Sequence, residues 1–395
     1  MRILQLVESA GAGVGRHVAD LTDGLLGRGR EVHLVYSDAR SDSIFHEDLR
    51  RLGEQPGFRA RRILMRRQPH AQDLLAVRVL RRYLRSHGPF DLLHCHSTKA
   101  GLIGRLGLIG DPIKRLYTPH GFFTADPSRG GIERQSGALV EAALSKLCDG
   151  VIAVSREEYR HAIELGISRA KLCLIPNGVA LDQASHPHGR AELRKDWGVD
   201  GEICIGFVGR LVAQKSPETM LRSFAALPDI TRTQAKLVMI GDGPLAGACR
   251  RLAAQLGIQA RVVWLGEQDA KTLMHAFDLL ALTSDAEGHP IVVLEALARG
   301  LPIVATAVGG IAESVRHGVN GFVTPVRGVS EIAAALQTLV HDADLRERMG
   351  RASRVIAQDF SVDRMVERTL AFYDQVVSGA WSGSASQDYK VAALP

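Results

Sequence analysis

Two carboxylates, Glu287 and Glu295, bracket an apolar run in "SDAEGHPIVVLEALARG". "DLLALTS" before them reads as a strand and "DAEGH" as its exit loop, which places Glu287 at the strand's end. "PIVVLEALARG" reads as a helix with Pro290 at its first position, where the fixed φ suits the turn and the missing N–H costs nothing. Glu295 then lies one to two turns into that helix. The free N–H groups of Ile291, Val292 and Val293 point back into the same space. Such a pattern offers two hydroxyl-accepting carboxylates beside an anion-binding helix end. A ligand bearing both sugar hydroxyls and phosphates fits it. Glu287 alone could be a surface-loop acid, whereas Glu295 on an otherwise apolar helix needs a partner, because burying an unpaired charge is costly.

A second signal is "GFVGRLVAQKSPE", in which Gly209 ends an apolar run and Arg210 and Lys215 follow on one loop. An arginine fork and a mobile lysine charge at a strand's carboxyl end suit a diphosphate; the competing reading is a solvated basic loop. A third is "GAGVGRHV", with Gly11, Gly13 and Gly15 after the first strand and Asp38 after the second. Arg16 stands where a dinucleotide fingerprint wants its last glycine, so what survives is a flexible loop at a helix start where an anion could approach. His94, Cys95 and His96 alternate in "DLLHCHS", but zinc needs two further ligands and no paired motif supplies them. Asp342 and Asp344 in "DAD" sit at a helix start, where aspartates cap. No metal site is expected.

Positioning these groups requires strands that end at them. Short apolar runs alternate with helical periods along nearly the whole chain, the pattern of parallel sheets wrapped by helices. "RILQLV", "EVHLVY", "DLLHCH", "RLYTPH", "GVIAVS" and "KLCLIPNG" form one series; "ICIGFVG", "KLVMIGDG", "RVVWLG", "DLLALTS", "PIVAT" and "GFVTPV" form another. The expected architecture is α/β, two Rossmann-like doubly wound domains facing across a cleft, over residues 1–180 and 190–360. A polar linker lies near 178–190, a helix over 361–380 packs back toward the first domain, and 381–395 form a flexible tail. In such sheets ligands bind beyond the strands' carboxyl ends.

With 395 residues, 46% apolar and 23% charged, the chain has enough material for two real cores. Its five scattered cysteines read as core residues of a reducing compartment. The start "MRILQLVESAGAG" reads as a strand rather than a signal peptide, and no run approaches the ~18 apolar residues of a spanning helix. A cytoplasmic location is expected. Net charge is +6, with roughly +8 on residues 1–180 and roughly −2 on the remainder. Much of the excess lies in "FRARRILMRRQPHAQDLLAVRVLRRYLRSHG", where Arg59, Arg61, Arg62, Arg66, Arg67, Arg78, Arg81, Arg82 and Arg85 interleave with leucines and valines. Such a stretch can lie peripherally on an anionic membrane surface or be a solvated face packed on its own domain. Nucleic acid is not an expected partner, since no reading motif is present.

"EGHPIVVLEALARGLPIVATAVGGIAESVRHGVNGFV" resembles the E-x7-E region of retaining, nucleotide-sugar-dependent glycosyltransferases of family 4 (GT4), which have the GT-B fold. "GVGRHVADLTDGLLGRGREVHLV", "DLLHCHSTKAG", "YTPHGF", "GVIAVS", "IPNGV", "VGRLVAQK", "MIGDGP" and "VVWLG" follow in that family's order, so the resemblance covers most of the chain. One departure is Ala12, where many members have the first of two adjacent glycines. By matching position, the resemblance implies that Arg210 and Lys215 bind the donor's diphosphate and steady the leaving nucleotide. It implies that Glu287 holds donor-sugar hydroxyls and Glu295 the ribose. Amides after Pro290, including those of Ile291 and Val292, would add to the phosphate site. Leu265 and Gly266 would meet the base, Gly209 would precede the cations, and Gly13 and Gly15 would let their loop approach the phosphates. His120 of "TPHG" would lie near the transferred sugar.

The resemblance further implies metal-independent, retaining hexosyl transfer from a UDP- or GDP-linked sugar to a saccharide acceptor. In that mechanism the leaving phosphate oxygen takes the acceptor's proton. A lipid-linked saccharide of bacterial surface-polysaccharide assembly, at the cytoplasmic face of the inner membrane, would be the acceptor. No cofactor is expected beyond the nucleotide-diphosphate sugar as co-substrate. Three alternatives remain: a nucleotide-sugar epimerase of the same shape, an NAD-dependent oxidoreductase resting on "GAGVG", and a non-catalytic nucleotide-sugar-binding protein.

Overall fold

Strands covered on both faces need mostly apolar side chains, and the inner strands of this protein have them. β1 (Arg2–Val7) and β2 (Glu31–Tyr36) are joined in one parallel sheet by β3 (Phe58–Arg62), β4 (Leu92–His96), β5 (Lys114–Thr118), β6 (Gly150–Ala153) and β7 (Leu172–Leu174). A second parallel sheet comprises β8 (Ile203–Val208), β9 (Ala235–Ile240), β10 (Val262–Gly266), β11 (Leu279–Leu282), β12 (Ile303–Thr306) and β13 (Gly321–Thr324). The computed structural model describes residues 1–66, 68, 70–127, 129–181, 189–199 and 201–383. Most of the expected linker and tail, and Arg67, lie outside the described residues.

The first sheet runs β3-β2-β1-β4-β5-β6-β7 and the second β10-β9-β8-β11-β12-β13. Both are doubly wound, and the strand order reverses beside β1 and beside β8. That switch point leaves a crevice at the strands' carboxyl ends. Two compact units result: Met1–Ala125 with Arg129–Gly178 and the helix Val362–Ser378, and Val179–Ser361.

β3 is the strand that periodicity concealed. "FRARR" pairs in parallel with β2, from Val32↔Phe58 to Tyr36↔Arg62, at the sheet's edge with four of its five residues exposed. An edge strand has no second neighbour to bury its side chains, and charge there discourages pairing with other chains. The basic stretch is thus divided between this strand and the helix Gln72–His87, which buries Ala76, Leu80, Tyr83 and Leu84.

The helix Val362–Ser378 buries Met365, Val366, Phe372, Tyr373 and Val376 in the first unit's core with Leu21, Leu25, Leu92 and Leu116. Each such side chain is worth roughly 1.5–3 kcal/mol of transfer free energy. Gly24 admits the helix: a Cβ there would lie 2.5 Å from Val366 Cγ2. Tyr373 Oη meets His94 Nδ1 at 2.6 Å, and Thr118 Oγ1 meets the other ring nitrogen at 2.7 Å. Among the described residues, no helix is long and apolar enough to cross a membrane.

Candidate functional site

In the second unit the site begins where β8 ends. Gly209 takes φ +156°, and its amide donates to the Ile240 carbonyl at 3.0 Å. The chain then turns through a short 3-10 segment, Ala213–Lys215, into the helix Pro217–Ala225. Ser216 is left-handed at φ 45° where the two join. This loop is tied to the exit of β11: the Asp285 amide donates to the Gln214 carbonyl at 2.8 Å, and Gln214 Nε2 donates to the Ala286 carbonyl at 2.9 Å. Thr283 Oγ1 donates to the Ser216 carbonyl at 2.9 Å. β8 and β11 are neighbours in the sheet, so residues far apart in sequence meet at the switch point.

Lys215 and Glu287 are what these ties bring together. Lys215 Nζ lies 2.5 Å from Glu287 Oε1, and Ser284 Oγ donates to the same oxygen at 2.6 Å. The carboxylate side chain is 8% exposed and the lysine 20%. Arg210, by contrast, is exposed, and its side chain makes no hydrogen bond or ion pair among the described residues. It is a free cation beside a paired one.

The helix Ile291–Arg299 starts one residue later than the sequence suggested. Pro290 is its flanking residue, with φ −70° and ψ 118°, rather than its first turn. The reason is visible in the hydrogen bonds: the Val293 amide donates to the Pro290 carbonyl at 3.1 Å. The expectation of three open amides is corrected to two, Ile291 and Val292. Glu295 is 9% exposed, one turn into the helix. Arg299, a turn further on, is held down by burial and drawn up by Glu295, so this acid has a cation on its own helix.

Two glycines that sequence reasoning left unassigned hold the Glu287 loop. Gly309 has φ +55°, and a Cβ on it would lie 2.3 Å from the Glu287 carbonyl oxygen and 2.6 Å from that of Gly288. The Gly310 amide donates to the Gly288 carbonyl at 2.6 Å. Their signal was a glycine pair just past a strand end in "IVATAVGG". Gly241 serves Gly209 likewise: its amide donates to the Gly266 carbonyl, and a Cβ would lie 2.1 Å from the Gly209 oxygen. Half-buried Leu265 and Gly266 at the end of β10 are thereby linked to the loop carrying Arg210. Behind Glu287, burial pushes the His289 imidazole down to about 3, so it is neutral. Asp285, also missed, accepts from Arg327 at 2.7 Å.

In the first unit, Gly15 is buried in the opening turn of the helix Ala12–Leu26, and a Cβ there would lie 2.2 Å from the Ala10 carbonyl oxygen. Gly13 is exposed one residue from Ala12. Ala12 occupies the left-handed region at φ 52°, with its amide donating to Asp42 Oδ2 at 2.6 Å. Asp38, the acid a dinucleotide reading would require, is paired with Arg62 at 2.7 Å. His120 is left-handed at φ 56° and meets His96 through Nε2···Nδ1 at 3.1 Å. Burial, then His17 and His94, hold it well below the ordinary histidine range. Glu158 anchors this turn by accepting from the Gly121 amide at 2.6 Å and the Val154 amide at 2.7 Å, and burial raises it to about 7. Asp342 caps the helix Ala343–Ala357 by accepting from the Leu345 amide at 2.7 Å.

A family model described as glycosyl transferases group 1 matches residues 189–355, and one described as glycosyltransferase family 4 matches residues 11–183. The chain belongs to the family 4 glycosyltransferases. Among solved structures, Anabaena HepE in complex with UDP and glucose superposes with TM-score 0.81 at 24% identity, covering 95% of this chain and 100% of that one. Sucrose-phosphate synthase from Thermosynechococcus elongatus gives 0.79 at 20% identity, over 96% and 100%. These likenesses establish the GT-B glycosyltransferase fold. A D-inositol 3-phosphate glycosyltransferase from Nocardia farcinica is 32% identical over 301 residues, 72% of this chain and 66% of that protein. The Mycobacterium bovis protein of that name is 31% identical over 307 residues, 73% and 62%. The matched segments thus span just under two thirds of these relatives' own length.

Proposed function

We propose that this glycosyltransferase moves a hexose, with retention, from a UDP- or GDP-linked sugar to a saccharide hydroxyl, and that no metal takes part in the transfer. The observation that carries the proposal is the Lys215–Glu287 pair beside the open end of the helix Ile291–Arg299. A diphosphate would take Lys215, Arg210 and the Ile291 and Val292 amides. Glu287, its position fixed by Ser284 and Gly309, would accept from sugar hydroxyls, and Glu295 from the ribose. Positive groups already in place where the leaving phosphate gains charge lower the barrier without reorganisation. The phosphate oxygen would take the acceptor's proton, so no side-chain nucleophile is needed; His120 would contact the transferred sugar. The UDP and glucose held by the Anabaena protein support the donor class.

The acceptor is proposed to be a lipid-linked saccharide, met at an anionic membrane surface. The helix Gln72–His87 supports this by exposing Leu74 (66%) and Leu75 (58%) among exposed Arg78, Arg81, Arg82 and Arg85. The names of the actinobacterial relatives favour a second reading, a soluble phosphorylated cyclitol. Thermal-shift screening against UDP, GDP and ADP sugars, followed by transfer assays with both acceptor classes, separates these readings. Donor isomerised with no acceptor present would identify an epimerase instead. Vesicle binding that ignores charge reversal at Arg61, Arg62 and Arg66 would remove the membrane part.

A further inference from the structure

His17, His96 and His120 come from three separate segments of the first unit. His96 ends β4, His120 follows β5, and His17 lies on the helix after β1. β1, β4 and β5 are consecutive neighbours in the sheet, so their carboxyl ends deliver the three imidazoles to one place. The sequence had suggested His94 and His96 as a pair, but both ring nitrogens of His94 are committed to Tyr373 and Thr118. His96, its ring 4.0 Å from that of His94, meets His120 at 3.1 Å, while the rings of His17 and His120 stand edge to face at 4.6 Å. One nitrogen from each of the three lies within 4.8 Å of the others.

Two features distinguish this cluster from packed core histidines. His17 Nδ1 is buried and has no hydrogen-bond partner among the described residues, in a side chain 4% exposed. Buried ring nitrogens are normally satisfied. In addition, His96 Nδ1 and His120 Nε2 already face each other at 3.1 Å, close to the spacing of two ligands on one ion.

We propose that His17, His96 and His120 bind a borderline divalent cation of the Zn²⁺ class, and that its binding inhibits sugar transfer. Zinc–nitrogen bonds of about 2.0–2.1 Å at a tetrahedral angle put two ligand nitrogens roughly 3.3 Å apart. The His96–His120 separation already matches, and the ion would replace the proton those nitrogens share. His17 closes the third position by a shift of up to about 1.5 Å, with the fourth left to water or an anion. Three imidazoles and no carboxylate select zinc or cobalt over magnesium or calcium. Inhibition rests on the proposed role of His120, whose Nε2 cannot both ligate an ion and contact a sugar.

The test begins without any donor. Full-length chain stripped by a chelator is titrated with Co²⁺, read by its visible absorption, and with Zn²⁺ by calorimetry. One ion per chain is expected, with four-coordinate cobalt bands. His17→Phe, and separately His17→Gln in case the first perturbs packing, should each weaken binding on the order of 100-fold. Binding unaltered in a folded His17 variant, or no stoichiometric binding to the unaltered chain, overturns the site. Transfer is then assayed with and without Zn²⁺. His17→Phe should keep its basal turnover and lose the inhibition seen in the unaltered chain. Stoichiometric binding with no effect on transfer would overturn the inhibitory role while leaving the ion site standing. Absence of any transfer activity would count against the proposed function, and not against the binding result.

Discussion

Replacing Gly309 by alanine tests whether the position of Glu287, rather than its presence, matters. The new Cβ would lie 2.3 Å from the Glu287 carbonyl oxygen and 2.6 Å from that of Gly288, about 1 Å short of ordinary contact. Both obstacles are backbone, and the Gly310–Gly288 hydrogen bond at 2.6 Å clamps them, so the strain cannot escape into a flexible side chain. The left-handed φ of +55° adds about 1–2 kcal/mol for a residue with a Cβ. Overpacking adds about 1–3 kcal/mol. Relief would push the 287–288 loop outward by roughly 1 Å, and misplacement of that size costs about 100-fold in turnover. Gly318 is the matched control: its φ is +77°, with nothing within 4 Å of its Cβ position. Gly318→Ala should lose about 1–2 kcal/mol of stability and none of the activity. The assay is kcat/KM for donor turnover alongside a thermal melt for each variant. Gly309→Ala turning over within threefold of the unaltered protein, or Gly318→Ala losing as much, would refute the reasoning.

Four other outcomes are expected. Lys215→Ala and Glu287→Ala should each cut kcat/KM by about 100- to 1,000-fold, roughly 3–4 kcal/mol of transition-state stabilisation, with the fold retained by circular dichroism; near-normal rates in either would remove its role. Ala12→Gly should stabilise the protein by about 1 kcal/mol, raising Tm by about 2–4 °C, because φ 52° is free to glycine; calorimetry reads the gain. Tyr373→Phe should cost about 1–2 kcal/mol in a urea melt, since it strips a partner from the fully buried His94. Folding stability should fall as pH drops from about 6.5 toward 4. Burial lowers His17 to about 4, His289 to about 3, and His94, His96 and His120 well below normal, so the unfolded chain takes up protons first. Glu158, raised to about 7, opposes this with the reverse sign, but one group does not offset five. A melting temperature unchanged between pH 7 and 5 would contradict it.

What could be read from the residues depended on how local each signal was. All six strands of the second sheet and six of the first were visible because both faces are covered and the runs are apolar. β3 was hidden because an edge strand keeps its arginines. Lys215 and Glu287 could be singled out because each follows a strand end, and only the adjacency of β8 and β11 shows that they touch. The start of the helix Ile291–Arg299 was off by one because Pro290 can either open or precede a helix. His17 carried no signal of its own, since its relation to His96 and His120 is a property of sheet order. Ala12, where the resemblance led us to expect a glycine, is a left-handed residue whose amide is held by Asp42.

The central claim is that a donor's diphosphate rests on Lys215, Arg210 and the first amides of the helix Ile291–Arg299. A crystal structure of the protein with an intact UDP- or GDP-sugar tests it most directly. Phosphate oxygens within about 3 Å of Lys215 Nζ and of the Ile291 or Val292 amide, with a sugar hydroxyl on Glu287, are the predicted result. A nucleotide sugar bound elsewhere, with Lys215 and Glu287 engaging only each other, would contradict the account.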